Sequence, residues 1–202
     1  MTYKLYTRPG TGGFAVECAL VTAGAAHEVI VTDKDAQASD AFGRLNPMRQ
    51  VPTMVLPDGT VMTESAAMLI HLAAAHPGKG LAPAPGTPAH ATFLRWMLFM
   101  AVNLYEADLR YFYADRYTAD ASGVPAVKTA AIAHMARSFA VIDPALGPWV
   151  CGTSRSIADA YLAMLAAWSP EPVAASKVVA VRDDIARDPV YAPIWKRYAL
   201  DS

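Results

Sequence analysis

The stretch 46–72, reading NPMRQVPTMVLPDGTVMTESAAMLIHL, constrains the fold more than any other part of the chain. Asn46-Pro47 is a turn pair that ends the preceding element. Residues 53–56 read as a short β-run, Pro57-Asp58-Gly59 as a turn, and 61–63 as a second run, which together predict a hairpin. Ser65 then opens a segment in which Ala66, Met68, Leu69, Ile70 and Leu72 recur at helical spacing. The local order is strand, turn, strand, helix.

Pro52 stands where a strand begins and brings no N–H to it. Two readings stay open. A cis Val51-Pro52 bond turns the chain sharply, so that Val51 offers its N–H and C=O to an extended peptide as one more strand would. A trans proline marks an ordinary strand start. Glu64 and Ser65 sit at the N-terminus of the following helix. Its unpaired N–H groups and the Ser65 hydroxyl favour a carboxylate, while Glu64 favours an ammonium. The alternative is a plain helix cap. Taken together, the two features suit a short peptide with a free α-amino acid end.

Ahead of this stretch, residues 4–7 predict a strand, 8–13 a glycine-rich loop, and 14–23 a helix ended by Gly24. Residues 29–31 predict a second strand and 40–45 a short helix. The order βαβαββα fits a thioredoxin-like domain over 1–79, with a parallel first crossover. In the loop, glycines allow close backbone approach and the helix N-terminus stabilises an anion. A thiolate held there with the Thr11 hydroxyl is favoured over its thiol. The other reading is a simple turn with Thr11 as the helix cap. The pattern G-x-G-G lacks the third glycine of a dinucleotide fingerprint, so that function is rejected.

A linker rich in proline and glycine spans 76–88, and from there the pattern is helical, predicting an all-helical domain over 88–202. Residues 92–117 form a long apolar and aromatic segment, most of it core. Tyr105, Leu109 and Tyr113 fall at i, i+4 and i+8, where tyrosines with polar tips line a half-wet pocket. A helix over 126–142 follows, then Ser156-x-x-Asp159 in capping-box form with Asp in place of Glu or Gln. The tail predicts two helices separated by Asp188-Pro189. The net charge is −1 with no basic run, which argues against nucleic acid and anionic membrane as partners. No apolar run is long enough to span a bilayer and Met1 leads directly into a strand, so a soluble cytoplasmic protein is expected. Five histidines without ligand spacing and two distant cysteines, Cys18 and Cys151, predict neither a metal site nor a disulfide framework.

Val51-Pro52 followed at this distance by Glu64-Ser65 resembles the glutathione-binding half of the glutathione S-transferase family. Gln50 matches a common family position. The Gly152-x-x-x-Ser156-x-Ala158-Asp159 element is similar to the family's structural cap on a central buried helix, with Arg155 where an apolar residue usually stands. The resemblance implies an α/β plus all-α fold, a thioredoxin-like domain followed by a transferase-type helical bundle. It implies a cis Pro52, Val51 pairing with the cysteinyl backbone of glutathione, and Glu64 and Ser65 holding the γ-glutamyl end. Thr11, with Thr7 in reserve, would contact the sulfur. Gly12 or Gly13 occupies the place of the cysteine some members carry, which argues against thiol–disulfide chemistry. Tyr105, Leu109 and Tyr113 would border the co-substrate pocket. The activity implied is glutathione transfer to a small hydrophobic electrophile or a peroxide, in a homodimer. A non-catalytic binding module and a glutathione-dependent isomerase, reductase or lyase are the other classes carried.

Overall fold

The computed structural model describes residues 2–201. Its first compact unit comprises the chain through Ala82 together with the segment from Asp188 onward, and its second is Pro83–Arg187.

In the first unit β1 (Tyr3–Thr7) lies between β2 (His27–Val31) and β3 (Thr53–Val55), with β4 (Val61–Met62) beyond, giving the order β2-β1-β3-β4. β1 pairs β2 in parallel, Tyr3 opposite His27 through Thr7 opposite Val31, and pairs β3 antiparallel. Tyr3, Leu5 and Thr7 are buried and Lys4 is exposed, the alternation expected of a strand with one covered face. The crossover α1 (Gly13–Ala23) buries Phe14, Ala15, Val16, Cys18, Ala19 and Leu20. Gly24 ends it at φ 66°, its N–H donating to the Leu20 and Val21 carbonyls. α4 (Ser65–Ala75) packs on α1 through Met68, Leu69 and Leu72. The short helix expected over 40–45 is present as α3 (Asp40–Leu45), preceded by an unforeseen α2 (Lys34–Ala38). Asp33 caps α2 by accepting from the Ala36 N–H at 2.8 Å, and Ser39 ends α2 and caps α3 through the Phe42 N–H at 3.2 Å.

In the second unit, α5 (Pro88–Phe99) starts at a Thr87 cap with proline in its first turn. The long apolar segment read over 92–117 is a composite of helical elements. α5 passes through a π-helical turn, Met100–Tyr105, into α6 (Glu106–Phe112), and a 3-10 turn follows. Within the π turn the Asn103 side-chain amide donates to the Phe99 carbonyl at 3.0 Å, drawing that oxygen off the regular ladder. α7 (Val124–Ile142) packs on α6. The centre is α8 (Ile157–Trp168), whose residues from Ile157 to Ala166 are all buried, and α9 (Ser176–Arg187) covers it.

The tail differs from its expected place in the helical domain. α10 (Ala192–Arg197) and the turn after it pack on α1 in the first unit. Trp195 and Tyr198 meet the edge of Phe14 at centroid distances of 5.4 and 6.0 Å, and Tyr191 meets the Thr22 hydroxyl at 2.6 Å. α1 is apolar on nearly every face, so its outer side needs a cover that residues 1–82 do not supply.

Candidate functional site

Val51-Pro52 is a cis peptide, as the resemblance implies. Asn46, almost fully buried, ties the turn before it: its amide donates to the Gln50 carbonyl at 2.9 Å and to the Thr53 hydroxyl at 3.0 Å, and its oxygen accepts from the Met48 N–H. The Thr53 hydroxyl also donates to the Gln50 carbonyl, at 2.9 Å. Arg49, at φ 54°, reaches back to the Ala38 and Ser39 carbonyls and pairs with Asp40 at 3.5 Å. Its guanidinium lies where a Gly43 side chain would stand. Among the described residues, no hydrogen bond engages the N–H or C=O of Val51. Pro52 is buried beneath it and Gln50 is exposed beside it. The loop is thus held by its neighbours while one backbone edge stays open to a strand-like ligand.

Glu64 precedes α4 at φ 62° and ψ 103°, left-handed backbone that a non-glycine residue adopts at a cost. It is exposed and gives the helix no side-chain cap, while Ser65 at the first helical position is buried. The N-cap position thus gives the first turn of an eleven-residue helix no side-chain cap and sets a carboxylate facing solvent beside it.

Loop 8–13 is more tightly bonded than its glycines suggest. Thr11, 6% exposed, donates its hydroxyl proton to the Arg8 carbonyl at 2.6 Å and lies 3.0 Å from the Thr7 hydroxyl. It therefore does not cap α1: Gly12 is the capping residue and has no side chain to offer. Gly13 faces Thr7 so closely that a Cβ there would stand 1.9 Å from Thr7 Oγ1. A side chain at position 13 is excluded by contact.

In the second unit, Tyr105 ends the π turn, its ring edge-on to Trp168 at 5.4 Å and stacked near Tyr161 at 6.4 Å. Leu109 lies half-buried on α6. Tyr113 falls just past the helix, at φ −126° and ψ 42°, with the Arg116 guanidinium 4.2 Å over its ring. The helical face that 105, 109 and 113 were expected to share is therefore interrupted at both ends. Asp108, 3% exposed on α6, escaped the sequence reading. Both its oxygens lack a hydrogen bond, and burial pushes its carboxyl well above the usual range. Its one sequence signal is an acidic residue four positions after buried Leu104. Among the described residues, no cluster of three or more His, Cys, Asp or Glu is placed to hold a metal ion. Likewise no helix is long and apolar enough to cross a membrane.

Residues 16–75 match the family described as Glutathione S-transferase, N-terminal domain. The chain is 27% identical over 171 residues to glutathione S-transferase GstA of Escherichia coli O157:H7, covering 82% of each protein. A sphingomonad glutathione S-transferase solved in complex with glutathione is 28% identical with a TM-score of 0.82, over 98% of this chain and 99% of that one. A Sulfitobacter glutathione transferase homologue with bound glutathione is 25% identical with a TM-score of 0.87, over 96% and 97%. The thioredoxin-like sheet, the helical second unit and these likenesses along most of the length agree: the chain has the fold of the glutathione S-transferases, and its residues 16–75 match that family's N-terminal domain.

Proposed function

We propose that the protein is a glutathione transferase that holds glutathione on its first unit and activates the thiolate for attack on a small electrophile or peroxide. The observation that carries this reading is the open backbone edge of Val51, in a chain whose relatives are solved with glutathione bound. Val51 pairs with the cysteinyl backbone, with Gln50 and Pro52 framing it. Glu64 takes the α-ammonium, and Ser65 with the first turn of α4 takes the α-carboxylate. Loop 8–13 and the N-terminus of α1 receive the sulfur, with Thr11 as the hydroxyl donor. Activation is then a lowered thiol pKa combined with proximity. Tyr105, Leu109 and Tyr113 are assigned to the co-substrate side. Two copies form a homodimer, for which Leu98 and Val102, exposed apolar residues one turn apart, supply an apolar face.

Calorimetry with glutathione on the wild type and Ser65→Ala tests the reading. The variant is expected to bind about ten-fold more weakly, the loss of roughly one charge-assisted hydrogen bond. Wild type that takes up no glutathione at millimolar concentration removes the function and leaves the fold. Sedimentation of the same sample reads the dimer by mass.

A second reading rests on Thr11. Its proton is engaged by the Arg8 carbonyl, which favours a glutathione-binding module without turnover. Binding with no turnover against a panel of electrophiles and peroxides selects this alternative.

A further inference from the structure

Tyr198 is 2% exposed and its buried hydroxyl makes no hydrogen bond, although Thr7 and Glu17 both face it. Burial pushes its ionisation far above the usual range, so it is present as a neutral donor. It is held in place at three points. The Gly10 N–H donates to the Tyr198 carbonyl at 3.1 Å, the ring stands edge-on to Phe14 at 6.0 Å, and Arg197 forms an ion pair with buried Glu17. The place where a Gly13 Cβ would stand lies 1.9 Å from Thr7 Oγ1 and 3.0 Å from the Tyr198 hydroxyl, so the two hydroxyls share one small buried space.

Proton counting then fixes a direction. Thr11 has one hydroxyl proton, and it goes to the Arg8 carbonyl at 2.6 Å. The 3.0 Å contact between Thr7 and Thr11 must therefore use the Thr7 proton. Thr7 is left with an acceptor site, and the Tyr198 hydroxyl is the unbonded donor facing it. Glu17 Oε2, buried and without a bond while Oε1 takes the Arg197 guanidinium, is the rival acceptor, and the Thr7→Val variant below decides between the two.

We propose that Tyr198 is a positioning residue for the thiolate. Its hydroxyl donates to Thr7, Thr7 donates to Thr11, and Thr11, already accepting from Thr7, is left with its own proton to give. Without glutathione that donation goes to the Arg8 carbonyl; with glutathione it turns to the sulfur. Glu17, Arg197 and Arg8 are the charged groups around this chain. The proposal rests on the glutathione reading above and assigns the segment after Arg187 a part in it.

The test is the ultraviolet titration of the thiol of bound glutathione, which needs no electrophile. It uses full-length wild type, Tyr198→Phe, Thr7→Val and the double variant. Tyr198→Phe keeps the ring on Phe14, so glutathione affinity should stay within about two-fold. The thiolate fraction at neutral pH should fall about ten-fold, the effect of losing one oriented hydrogen bond. Thr7→Val should act likewise, and the double variant no more than either single one. A wild-type titration curve from Tyr198→Phe overturns the proposal, as does full additivity in the double variant. Failure of the wild type to bind glutathione defeats the parent reading instead, and the two failures are told apart by the binding step.

Discussion

At the scale of single residues, the least comfortable group in the protein is Asp108. A carboxyl shut away from water with neither oxygen bonded favours its neutral form, so the folded protein holds a proton there to a pH at which the unfolded chain has released it. Between the ordinary carboxylate value and the raised one, the folded state binds more protons than the unfolded. Stability then falls as pH rises through that window, and the loss is complete above it. Asp108→Asn is neutral at every pH and removes the slope. It should match or trail the wild type in acid and exceed it by about 1–3 kcal/mol at alkaline pH, the range for an unsatisfied buried polar group. Urea unfolding across pH measures this; parallel wild-type and variant curves would show that Asp108 is ionised in both states. Residues of this kind are poorly legible in a sequence. Val51-Pro52 announced itself by position, yet its isomer was left open because both isomers share one sequence. Glu64 was legible as a charge, but its φ of 62° was not, since nothing in a glutamate demands that backbone. Asp108 and Tyr198 were missed because polarity on an apolar helix face and a lone tyrosine in a tail have meaning only once neighbours are known.

Local chemistry made most elements legible. Gly24 ends α1 and Thr87-Pro88 starts α5, as end signals of those types predict. The clearest case is α8. Asp159 accepts from the Ser156 N–H and the Val150 N–H, each at 2.7 Å, and closes the capping box read from Ser156-x-x-Asp159. Arg155, which the staple position would fill with an apolar residue, lays its guanidinium 5.6 Å over the Trp149 ring, so its stem does part of that packing. Asp159→Ala leaves two buried N–H groups without an acceptor and should cost about 3 kcal/mol. Its melting temperature should drop by several degrees while any glutathione bound to the intact protein keeps its affinity. An unchanged melting temperature would assign α8 its stability from apolar packing alone. What was not legible was the join between helices. Periodicity over 92–117 reads straight through the π turn at Met100–Tyr105, because one extra residue shifts the register too little to disturb a segment that is apolar almost throughout.

For the molecule as a whole, the sequence suggests a chain that completes one domain and then another, and the fold departs from that order. The helix α1 is buried on nearly all sides, and the last part of its cover arrives from the segment beyond Asp188. No local pattern could reveal this, since α10 is an ordinary six-residue helix whose apolar face suits either unit. The segment buries Tyr191, Ile194, Trp195, Tyr198 and Leu200. At ~1.5–3 kcal/mol for each large side chain removed from water, their sum is comparable to the ~5–15 kcal/mol that holds a domain folded. Ending the chain at Arg187 should therefore unfold the first unit, although every residue of its sheet is still present. Limited proteolysis should then cut within residues 1–82 and spare the helical unit, and glutathione binding, where the full chain shows it, should vanish. If the shortened chain instead keeps the protection of the full one, the first unit closes its own core and α10 is only a covering layer. That outcome would separate stability from chemistry, since the Tyr198 hydroxyl still stands beside Thr7 in the full chain and the titration of bound glutathione alone decides its part in the thiolate.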